Sequence, residues 1–104
     1  MNFDINAVLG DMLTAMKDSV DTDWEDIGGY AKQVLENEKE ALANLAEQRL
    51  QNEITDEELQ SELEDERDTV EAEMKAIEVM TKAMAQRAAN AAMDVLSKAI
   101  KVAL

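Results

Sequence analysis

No proline occurs in this chain, and its only glycines are Gly10, Gly28 and Gly29, so from Tyr30 to Leu104 nothing obliges a helix to stop. Strand-forming residues are sparse, and Phe3, Trp24 and Tyr30 are the only aromatics. Ala, Glu, Leu, Lys, Gln and Met dominate instead, which is the composition of long helices. The expected fold class is all-α, in a single domain of 104 residues.

The sharpest local signal is Ile54-Thr55-Asp56-Glu57-Glu58-Leu59. Thr55 suits an N-cap, and Glu58 stands where its carboxylate can return a hydrogen bond to the Thr55 amide. Ile54 and Leu59 have the spacing of a hydrophobic staple, and Asp56 and Glu57 place negative charge at the positive end of the helix dipole. A helix therefore starts here, expected to span 56–103 and to reach roughly 75 Å at 1.5 Å per residue. Thr22-Asp23-Trp24-Glu25 repeats the capping pattern and opens a helix over 23–52, which Gly28-Gly29 should weaken or kink. A first helix over 4–20 carries Ile5, Val8, Leu9, Met12, Leu13, Met16 and Val20 on one stripe.

The long helix shows an apolar seam of Leu59, Leu63, Val70, Met74, Ile77, Met80, Met84, Ala88, Ala91, Val95, Ala99 and Val102. The connection before it is short, so the flanking helices should be antiparallel neighbours. Counting outward from that turn sets Leu45 opposite Leu63, Ala31 opposite Ile77, Val20 near Ala88 and Ile5 near Ala103. The simplest geometry is one long antiparallel hairpin whose first arm is interrupted near Asp21-Thr22; its rival is a compact three-helix bundle. Such a hairpin leaves one side of each seam bare, so a homodimer closing a four-helix bundle is expected. Its interface would use Met80, Met84, Ala88, Ala91, Val95, Ala99 and Val102.

Charge is strongly segregated. Residues 1–74 hold 22 acids against 5 bases, whereas residues 75–104 hold 2 acids against 5 bases. The net charge of −14 argues against nucleic acid as a partner, because the phosphate backbone would be repelled. Without Cys there is no thiol nucleophile or thiolate metal site, and without His the usual general base at neutral pH is missing. There is no glycine-rich phosphate loop either. Met1-Asn2-Phe3-Asp4-Ile5 has neither a basic segment nor an apolar core, so it does not read as a signal peptide. No apolar stretch is long enough to span a bilayer, and a cytoplasmic location is the default.

Three carboxylates stand out because they occupy seam positions. Glu66 falls between Leu63 and Val70, Glu73 lies on the apolar side, and Glu38 fills the slot between Val34/Leu35 and Leu42 on the facing helix. Clustered acids repel and take raised pKa values unless a cation neutralises them. An all-carboxylate set would suit a hard divalent cation such as Mg²⁺, Ca²⁺ or Mn²⁺, while Arg67, Lys39 or Arg49 could instead bridge the acids. No other cofactor is implied. Asp21-Thr22-Asp23-Trp24-Glu25 fails as an EF-hand loop, since its sixth and twelfth positions are Asp26 and Lys32. The pairs Met12/Met16 and Met80/Met84 read as adaptable core filler. Residues 75–104 are basic and amphipathic, which admits membrane-surface binding, but their alanine-rich face is better suited to helix packing. The sequence thus leads to a non-enzymatic structural or interaction module that self-associates. Its alternatives are a carboxylate metal-binding bundle and peripheral membrane attachment.

Overall fold

A computed structural model describes residues 3–20 and 24–104. Among these residues every regular element is helical: α1 (Ile5–Ser19), α2 (Trp24–Leu50), α3 (Asp56–Lys75) and α4 (Lys82–Ala103). The N-cap proposed at Thr22 lies outside the described residues. Asp4 caps α1 by accepting from the Asn6 amide at 2.9 Å. α2 runs unbroken through Gly28-Gly29; a Cβ at Gly28 would come within 2.9 Å of the Trp24 indole nitrogen, so this glycine makes room for the ring.

The turn between α2 and α3 forms as its residues dictate. Asn52 adopts φ 60°, the left-handed conformation that asparagine tolerates better than most residues. Its amide bonds back to the Arg49 carbonyl and the Glu53 amide to Gln48, which together close a Schellman motif. Thr55 then accepts from the Glu58 amide at 3.1 Å while Glu58 accepts from the Thr55 amide at 3.0 Å, a complete capping box. Arg49 ties the turn together, donating from Nε to Asp56 at 2.6 Å and from Nη1 to Asn52 at 3.1 Å.

The expected single helix over 56–103 is broken at 76–81, and with it the long hairpin. The Ile77 amide bonds to Met74 and the Met80 amide to Ile77, which turns the chain. Thr81 then caps α4, accepting from the Met84 amide at 3.1 Å. The reason is energetic. A straight helix would keep a few more backbone hydrogen bonds, each worth about 1 kcal/mol net. Folding back buries Met74, Met80, Leu96 and Ile100, each worth about 1.5–3 kcal/mol. The β-branched Ile77, Val79 and Thr81 lower the cost of the interruption.

The break lies at the same end of the bundle as the end of α1, so the chain doubles back on itself. α1 packs on α2 and α4, and α3 on α2 and α4, with α1 and α3 diagonally opposed. Arg87 Nε donates to the Ser19 carbonyl at 3.3 Å, setting the end of α1 against the start of α4. The product is a four-helix arrangement within one chain, 40 × 23 × 19 Å across. It is neither the extended hairpin nor the three-helix rival.

The interruption also resets the helical phase. α4 buries Ala85, Ala88, Ala89, Ala92, Met93, Leu96 and Ile100. The expected interface residues therefore divide. Met80 and Ala88 are buried inside the chain; Met84, Ala91, Val95 and Ala99 are half-buried; Val102 is 87% exposed. In the other helices the expected stripes hold, with Met12, Met16, Ile27, Leu35, Leu42, Val70 and Met74 wholly enclosed.

Candidate functional site

α2 and α3 present carboxylates where their seams would otherwise carry apolar side chains. Glu38 stands one turn from both Leu35 and Leu42; Glu66 stands one turn from Leu63 and Val70, and Glu73 one turn beyond Val70. All three are half-buried, and the antiparallel pairing brings Glu38 within hydrogen-bonding reach of both Glu66 and Glu73. Glu66 Oε2 and Glu73 Oε2 are shielded from solvent with no hydrogen-bond partner.

Burial raises the Glu66 carboxyl to about 7, assisted by the hydrogen bond to Glu38 and by the charges of Glu38, Glu62 and Glu73. Burial, the charge of Glu38 and a hydrogen bond to it also raise Glu73. Two carboxyl groups can hydrogen-bond only if one carries a proton. The orphaned oxygens thus belong to a cluster that holds a proton near neutrality, far above the ordinary carboxylate range.

Of the basic residues proposed to bridge these acids, the two arginines are engaged elsewhere. Arg49 is committed to Asp56, whose carboxyl it lowers below its usual value, first by a hydrogen bond and then by charge. Arg67 donates from Nη1 to Asn90 and from Nη2 to Asp68, both at 3.3 Å, leaving its buried Nε without a partner. No ion pair among the described residues reaches Glu38, Glu66 or Glu73. No group of three or more Asp, Glu, His or Cys among the described residues is arranged to hold a metal ion.

No family model, curated protein or solved structure matches this chain.

A second feature was not visible from the sequence. At the end of the bundle where α3 turns into α4, a groove of about 560 Å³ is floored by Val34, Ala76, Ile77 and Val79, with Tyr30 beside them. Its acids are Asp26, Glu73 and Glu78. Tyr30 is 63% exposed and Val79 50%. The groove exists only because the chain turns at 76–81, so a reading that kept α3 and α4 continuous had no reason to place it. The one available signal was Val79, an apolar residue that falls outside the Met74–Ile77–Met80 seam.

On the alanine-rich face that suggested membrane attachment, Ala88 and Ala92 are buried in the bundle and Ala91, Ala99 and Ala103 are half-buried. Among the described residues no helix is long and apolar enough to cross a membrane.

Proposed function

We propose that this protein is a non-enzymatic helical module that acts by self-association. One observation carries the reading. Among the described residues the exposed large hydrophobics are Tyr30, Val79, Val102 and Leu104, and they fall at the two ends of the bundle, not along its sides. These exposed apolar side chains make the ends the surfaces best suited to contact another molecule. The chain covers its own seams, so the original reason for a seam-to-seam dimer is gone and the ends become the surfaces of interest. The absence of Cys and His fits a role without nucleophilic or imidazole chemistry. Sedimentation at rising protein concentration tests the proposal. Growth of the average mass supports it, and a constant monomer mass overturns it.

A second reading is favoured by the orphaned oxygens of Glu66 and Glu73: the three carboxylates are not arranged around a metal ion, but a divalent cation that drew Glu38, Glu66 and Glu73 together would satisfy them. It is tested by titrating Mn²⁺, Ca²⁺ and Mg²⁺ while following heat of binding and thermal melting. No heat and an unmoved melt dispose of it.

A further inference from the structure

The two ends of the bundle are chemically complementary. At one end the groove combines apolar Tyr30, Ile77 and Val79 with the acids Asp26, Glu73 and Glu78. At the other, Lys98, Lys101 and Val102 share one exposed face of the last turns of α4, spaced three and four residues apart. Leu104 follows them, 58% exposed. An acidic apolar hollow and a basic apolar knob therefore lie on one molecule, in a protein otherwise strongly negative.

They cannot meet within a chain. α4 runs from the break at 76–81 to the opposite end of the bundle, where Lys101 acts on Asp56 beside the α2–α3 turn. The distance is about 30 Å for a helix of 22 residues. The occupant that suits the groove by charge is the end of α4 from a second copy.

Resting on the self-association proposed above, we infer that copies associate head to tail, with Val102, Lys98 and Lys101 of one copy seated in the Tyr30–Val79 groove of the next. The contact is heterologous: each copy offers one knob and one groove, so association continues into a ring or a short filament and does not stop at a symmetric pair. Two copies of net charge −14 repel at a distance, but at about 0.15 M salt the screening length is only about 8 Å. Within that range the local acid–base pairing decides. The contact area is small, so the association belongs to the weak class of interfaces, below about 1,200 Å² in total.

The test uses the full chain at about 0.15 M salt, where screening leaves local contacts dominant. In sedimentation equilibrium the average mass of the wild type is expected to at least double between about 10 μM and about 1 mM, the range that reports weak contacts. Val102→Asp removes the knob and Val79→Asp spoils the groove. Each variant alone should remain monomeric, with helicity and melting temperature unchanged because both positions are exposed. Mixed in equal amounts, the two should form a complex of twice the monomer mass that grows no further, since only one intact knob and one intact groove remain. Wild-type growth that survives both substitutions, or single variants that fail to complement, overturns the head-to-tail contact while leaving self-association standing. A wild type that stays monomeric at about 1 mM overturns both.

Discussion

The α1–α4 half of the bundle and the α2–α3 half solve the same packing problem by opposite means. α1 buries Val8, Leu9, Met12 and Met16, and α4, which packs on it, buries four alanines (Ala85, Ala88, Ala89 and Ala92) beside Met93, Leu96 and Ile100. Small residues let the two backbones approach closely, and methionine fills the irregular spaces that remain. Where α2 meets α3, the rows of Leu35, Leu42 and Leu45 against Leu63, Val70 and Met74 are interrupted by Glu38, Glu66 and Glu73. The first half is tuned for fit. The second gives up stability to keep three acids in its seam, which makes it the place to look for a property other than folding.

The difference can be broken most directly in the tight half. Leu96 is wholly enclosed, and Leu96→Ala should cost about 2–5 kcal/mol in urea denaturation, because a closely packed site collapses poorly around a cavity. A loss below about 1 kcal/mol would mean that α1 and α4 are loosely held. Next in size is overfilling. Ala92→Leu should cost about 1–3 kcal/mol, since Ala92 is enclosed and there is no room for three more carbons. Ala72→Leu, on the exposed side of α3, should change stability by less than about 0.5 kcal/mol. Equal costs at the two alanines would remove the contrast.

The turn joining α3 to α4 comes third. Thr81→Ala removes the acceptor for the Met84 amide and should cost about 1 kcal/mol, comparable to losing Thr55 at the start of α3. Thr81 also shows where sequence reading reached its limit. Thr55 announced itself because a reciprocal Glu58, a staple and acidic first-turn residues all agreed. Thr81 has Met84 in place of Glu, and no acid in the first turn that follows. No glycine or proline marks the break, because it is set by tertiary burial and not by local preference. The break shifts the buried face of α4 by about one residue from a continuous seam, so that Leu96 and Ile100 are enclosed and Val95 and Ala99 only half-buried. Glu38, Glu66 and Glu73 were legible for a complementary reason. α2 and α3 are joined by a well-specified turn, so counting outward from it put the right residues face to face.

The smallest effect is the most diagnostic, because its sign is opposite to the others. Glu66 is raised to about 7 in the folded chain from an ordinary 4.5, so the native state binds more protons than the unfolded state between those values. Stability contributed by this group is therefore greatest below about pH 4.5 and falls as pH rises through about 7, where the folded carboxyl ionises beside Glu38 and Glu73. Glu66→Gln removes the charge and supplies an amide donor for Glu38 at every pH. It should stabilise the protein at pH 8 by about 1 kcal/mol or less, solvent screening of a half-buried group having reduced the effect. Near pH 4.5 the gain should vanish, because the wild-type carboxyl is by then protonated and donates the same hydrogen bond. Paired urea titrations at the two pH values measure it. A variant less stable than wild type at pH 8 would show that Glu66 is neutralised by something other than a proton, and would move attention to the cation that Glu66 and Glu73 could share.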